Sequence, residues 1–259
     1  MGLVALRKGP FTGLTVACGC LLLIALLAMV LGIQPGIPVA FMISVWLPVI
    51  LCASMLRRTQ SQGLSILCAG TIGVFFTGFM YFVLEDIQGW WREWFARWKE
   101  FATSDQTAQQ LEQVYEFISP LLPVIIGSGF IISLVTTLLL ARWWQSLLFN
   151  PGGFRKEFYS LRLPRGLLYL TLLGLLALLL APDNTLIGIR DSVILILILY
   201  LYQGLSVIHG FIHARGLSRL WLTGMYVTFF LLPHAILLFV SCVGIVNACL
   251  GRRPEQITE

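Results

Sequence analysis

The chain has 259 residues, of which 58% are hydrophobic and only 11% charged, with a formal net charge of +5. A soluble domain carries about 25% charged residues, so a water-facing shell around a core is excluded. The composition instead describes an all-α polytopic transmembrane helix bundle in one integral membrane domain, with about seven spans plus interfacial amphipathic helices.

A spanning helix needs about 20 mainly apolar residues. Arg7 and Lys8 precede the first such run, Phe11–Ile33. It is too long for the apolar core of a signal peptide and no small-x-small site follows, so it is expected to remain as a span. An uncharged link leads to the second run, Ile37–Leu56, which ends at Arg57 and Arg58. The third, Leu64–Leu84, carries Ala69, Gly73 and Thr77 at four-residue spacing, a helix-packing signal.

Residues 85–117 are acidic and aromatic. Ile87, Trp91, Trp94, Trp98 and Phe101 fall on one helical face, with Arg92, Glu93, Arg97 and Glu100 largely off it. Indole rings favour the headgroup zone, so Trp91, Trp94 and Trp98 are read as an interfacial anchor on the outer leaflet. A lid over an outward-opening site is the alternative. Thr103, Ser104 and Asp105 offer caps for a second helix leading into the fourth run, Ile118–Ala141. Pro120, Pro123, Gly127 and Gly129 could interrupt that run and free backbone carbonyls for a solute, or make packed kinks.

The link Arg142–Arg165 holds five basic residues against Glu157 alone. Asn150-Pro151-Gly152-Gly153 is a turn by composition. A short basic helix follows, with Phe154, Phe158 and Leu161 on one side. It suits either a cytoplasmic or membrane partner subunit or an anionic lipid surface. The run Gly166–Ala181 is short but almost pure leucine. Asp183 and Asp191 straddle the next turn and read as solvated. The last two runs are Asp191–His213 and Arg219–Leu250.

Basic links alternate with neutral or acidic ones, which by the positive-inside rule places the N-terminus, Arg57, Arg142–Arg165 and Arg215 in the cytoplasm. The expected location is the bacterial inner membrane, multi-pass. Arg219–Leu250 would be ~48 Å long as one helix, against a hydrocarbon core of ~30 Å. A single tilted helix kinked at Pro233 is the favoured reading. A re-entrant hairpin is the alternative, and the charge rule favours it because Arg252 and Arg253 follow.

Polar side chains within a span are the default functional candidates. Gln203, Ser206, Gly210 and His213 advance by helical steps along one face, with Tyr200 on its flank. The face is read as either a solute-binding wall or a packing seam. His209 and His213 have metal-ligand spacing, but His234 falls at another depth, so no metal site is expected. No nucleotide-binding loop, hydrolase motif or deep carboxylate is present, and no catalytic residue, cofactor or nucleic-acid partner is assigned. The six cysteines lie in or at the ends of apolar runs and read as packing residues.

Two stretches, RWWQSLLFNPGGFRKEFYSLRLPR at Arg142–Arg165 and QGLSVIHGFIHARGLSRLWLTGMYVTFFLL at Gln203–Leu232, carry a resemblance. With the order of the spans, the chain resembles the YybS-like family of uncharacterised bacterial membrane proteins. Members carry one or two further apolar segments upstream of a stretch like Val4–Gly9. The family is a domain of unknown function, sometimes grouped with the substrate-binding S components of energy-coupling-factor vitamin transporters. The resemblance implies a small-solute, vitamin-like binding or transport component with no motor of its own. A non-transport scaffold or assembly factor is the alternative.

Overall fold

A computed structural model describes residues 1–32, 34, 36–84, 86–99, 105–181 and 186–251. Glu85, Glu100, Phe101, Thr103, Ser104, Asp183, Arg252, Arg253 and the side chains of Trp98 and Asp105, on which parts of the sequence reading rest, lie outside what it describes. Among the described residues all regular structure is helical. In hydrocarbon a single segment satisfies its own backbone only as a helix.

In chain order the helices are α1 (Gly2–Lys8), α2 (Pro10–Val30), α3 (Gly36–Phe41), α4 (Leu47–Thr59), α5 (Gln62–Val83), α6 (Ile87–Lys99) and α7 (Asp105–Ile118). There follow α8 (Leu122–Phe149), α9 (Gly153–Tyr159), α10 (Arg165–Leu180), α11 (Ile187–Ala214), α12 (Leu220–Leu231) and α13 (Pro233–Leu250). A π-helical turn, Met42–Trp46, joins α3 to α4. Pro48 has no N–H to offer Ser44, and the wider turn absorbs that gap. Among the described residues six stretches are long and apolar enough to cross a bilayer: Pro10–Val30, Pro38–Thr59, Gln62–Val83, Gln109–Phe149, Ile187–Ala214 and Pro233–Leu250. The molecule is an all-α polytopic membrane bundle.

Helix α11 is the central element, with α5, α8, α10 and α13 packed on it. Small residues set the approach. Gly73 leaves room for Ile131 of α8, Gly70 for Leu199 of α11, and Thr77 lies beside Gly127. The Ala69, Gly73, Thr77 stripe is therefore a packing seam. Helix α1 also contributes to the core. It buries Gly2, Ala5 and Leu6 against α4 and α8, and the chain reverses into α2 at Gly9, whose φ is 107°.

Four regions refine or correct the sequence reading. First, the fourth run is interrupted only at its start, around Pro120, and is otherwise one continuous helix. A 3₁₀ turn, Ser119–Leu121, precedes α8, which then runs unbroken through Gly127 and Gly129 to Phe149. The Pro120 carbonyl is taken by Arg190 Nη2 at 2.9 Å. Second, the residues from Arg142 onward are not a loop, because α8 continues for two turns past Ala141 and α9 docks on α11. Third, Asp191 is only 2% exposed and lies inside α11, not in a solvated turn.

Fourth, Arg219–Leu250 is two helices. The chain leaves helical dihedrals at Leu232 (φ −133°, ψ 64°), and Pro233 opens α13. Helix α12, 12 residues long, measures ~18 Å and cannot cross a ~30 Å core. Its start follows His213, which lies 3.5 Å from Arg155 of α9. The end of α13 lies on the same link, where Arg162 donates to the Gly251 carbonyl at 3.4 Å. Both ends of the stretch therefore meet the basic link, as in a re-entrant hairpin.

Helices α6 and α7 form a hairpin beside the 3₁₀ turn. Phe95 meets the buried Tyr115, with ring centroids 5.1 Å apart. Trp90, Trp91 and Trp94 contact edge to face. Trp90 and Trp94 stay exposed, while the Trp91 indole nitrogen is buried. The aromatic face is thus divided between protein and the surroundings.

Candidate functional site

The chain itself covers the polar face of α11 from Tyr200 to Ser206, while Gly210 is half-buried and His213 is exposed. Gln203 is 1% exposed. Its Oε1 accepts from the Leu163 N–H at 3.0 Å. Its Nε2 donates to the Gly244 carbonyl at 3.2 Å and to Asn247 Oδ1 at 3.1 Å. One amide thereby joins α11, the strand of link before α10, and α13. Ser206, also 1% exposed, donates to the Phe158 carbonyl at 2.6 Å. Gly210 lies under the Tyr159 ring.

Further along, His213 stacks on Tyr159 with centroids 5.4 Å apart. The His209 Nδ1 lies 2.8 Å from the Leu205 carbonyl, so that nitrogen carries the proton and Nε2 is free to accept from the Tyr226 hydroxyl at 3.2 Å. The two histidines turn to different partners. Tyr200 is wholly buried on the flank beside Thr171, and among the described residues its hydroxyl has no partner of hydrogen-bonding geometry.

Glycines bring α13 onto this face. A Cβ on Gly204 would meet the Val240 carbonyl oxygen, and one on Gly244 would meet that of Tyr200. Ser241 then donates to the Leu197 carbonyl at 2.8 Å. Periodicity places the named residues on one face of α11. It gives no sign of Phe158, Leu163, Gly244 and Asn247, because nothing local marks which distant segment covers a helix face.

The basic link is pinned at its other end by Arg142, whose Nε donates to Glu157 at 2.8 Å within an ion pair to the same carboxylate. Gln62 of α5 joins at 3.4 Å. Ser146 accepts from the Phe154 N–H at 3.0 Å and donates to the Asn150 carbonyl at 2.7 Å.

An apolar recess of about 420 Å³ lies between α5, α10 and α11, walled by residues such as Leu67, Val74, Leu170 and Leu199. Its polar side chains are Thr71 and Ser192, and each donates to a carbonyl of its own helix, Leu67 and Gly188. The recess offers hydrocarbon contact and no free side-chain donor.

A family model described as "Predicted membrane protein (DUF2232)" matches residues 12–247. The chain belongs to that family. The match runs from α2 to Asn247 in α13, so the covered face of α11, all of α12 and most of α13 lie within it. The description states membrane residence and no activity, and the multi-pass architecture agrees with it. No curated protein and no solved structure matches the chain.

Proposed function

We propose that this protein is a non-catalytic membrane scaffold or assembly factor that holds another component of the bilayer. Solute transport is the reading it displaces. The observation that carries the proposal is the state of Gln203. All three of its hydrogen bonds go to Leu163, Gly244 and Asn247 of the same chain. A polar solute at that depth would have to displace them, with no water to compensate the freed groups. The recess beside α11 supplies no free side-chain donor. A vitamin-like ligand needs a few placed polar groups for orientation; the unpartnered Tyr200 hydroxyl is wholly buried, and the recess offers only the acceptor oxygens of Thr71 and Ser192.

Gln203→Leu tests the reading. As a seam residue, its loss orphans the Leu163 N–H, at about 1–3 kcal/mol, and takes the donor from Asn247 Oδ1. The protein should melt earlier in mild detergent, and mass spectrometry of the purified wild type should find a reproducible membrane component and no stoichiometric polar metabolite. A bound metabolite that disappears in Gln203→Leu would restore the transport reading.

A further inference from the structure

The end of α8 carries an apolar stripe where the bilayer should stop. Helix α8 has 28 residues, or ~42 Å, against a core of ~30 Å. Counting ~20 residues from Leu122 reaches Arg142, so the last two turns lie in the headgroup layer. There Trp143, Trp144, Leu147 and Leu148 are between 43% and 66% exposed. They continue the exposed row Ile125, Ile132 and Leu140 higher on the same helix. The opposite side of this end is fixed inward, through Arg142 to Glu157 and Ser146 to Phe154.

Cations lie on α1 and α9, the helices packed at this end of α8. The Arg7 guanidinium lies 3.6 Å from the centre of the Phe149 ring, and Lys8 follows it. Arg155 and Lys156 are exposed on α9. The one acid of the link, Glu157, is engaged by Arg142. A row of lipid-facing side chains thus runs without interruption into a zone of exposed positive charge with no free carboxylate in the link. The ligand that fits is an amphiphile with an apolar chain and an anionic head.

We infer that the end of α8, with α1 and α9, binds an anionic phospholipid of the leaflet on the basic side. Its acyl chain lies along Ile132, Leu140 and Trp144, and its phosphate sits among Arg7, Lys8, Arg155 and Lys156. The inference needs the bilayer placement of α8 and does not rest on the scaffold reading. A transporter could hold the same lipid.

The full chain, purified in mild detergent, is offered phosphatidylglycerol or phosphatidylcholine, and retained lipid is counted by native mass spectrometry. Phosphatidylglycerol should be retained over phosphatidylcholine, and retention should fall as salt is raised. Each charge removed by Arg7→Gln, Lys8→Gln, Arg155→Gln or Lys156→Gln should weaken it about fivefold. Arg155 touches His213, so if the quadruple variant melts early, the pair Lys8→Gln and Lys156→Gln carries the same readout. Equal retention of the two lipids, insensitivity to salt, or wild-type retention by a folded variant would overturn the inference. So would a protein cross-linking in stoichiometric yield to a photoreactive group at Leu148 in place of lipid.

Discussion

Asp191 illustrates what one residue can do at the end of a bundle. Its carboxylate accepts from the Tyr81 hydroxyl at 2.7 Å and from Arg190 Nε at 3.0 Å, and Arg190 reaches on to the Pro120 carbonyl. Three elements, α5, the 3₁₀ turn and α11, are tied at one point. A buried carboxylate is tolerated only when it is paired and hydrogen-bonded. Tyr81→Phe should cost about 1.5–3 kcal/mol, the worth of a hydrogen bond to a charged group. Asp191→Asn should destabilise as well, and the double variant should lose less than the sum, because the two side chains share one bond. Thermal unfolding of the three proteins in detergent measures this, and additive losses would show that the residues act separately. The sequence concealed this clamp. Beside Arg190, Asp191 reads as an ordinary edge charge, and its partner Tyr81 lies on a different span.

At the scale of elements, hydropathy identified where helices run and failed where they are interrupted or covered. The runs now seen as α2, α5, α8 and α11 were legible because each needs only an uninterrupted apolar composition. The break at Leu232 was not, since apolar residues continue on both sides of it. The division of the α6 aromatic face was hidden for a related reason. Helical periodicity places Trp91 and Trp94 together, yet tertiary packing turns Phe95 toward Tyr115 and leaves Trp90 and Trp94 outside. The α6–α7 hairpin should therefore have separable parts. Trp90→Ser with Trp94→Ser removes the exposed anchor and should raise protease cleavage at the hairpin with little change in melting temperature. Trp91→Ser opens the partly buried contact and should lower the melting temperature, with a stability loss below the about 3–5 kcal/mol of a fully packed truncation because the ring is half-buried. Protection unchanged in the first variant would mean that the hairpin is held by protein contacts alone.

For the whole molecule, the decisive relation is between charge and the two ends of the re-entrant pair. With one long helix from Arg219, the last arginines would emerge opposite the basic link, against the positive-inside bias. The fold removes that conflict. Helix α12 leaves from beside α9, and α13 returns so that Gly251 is bonded by Arg162. Arg252 and Arg253 follow directly in sequence, and the chain end is expected on the face that carries Arg57, Arg155 and Arg162. Topology can be read with single cysteines in a cysteine-free background. Gln109→Cys, exposed on α7, should react with a membrane-impermeant reagent added outside. Ser160→Cys, exposed after α9, should react only once the membrane is opened. A reporter fused after Glu259 should then match Ser160→Cys. If it matched Gln109→Cys instead, Arg219–Leu250 would cross the membrane once, and the return of α13 to the basic link would be lost.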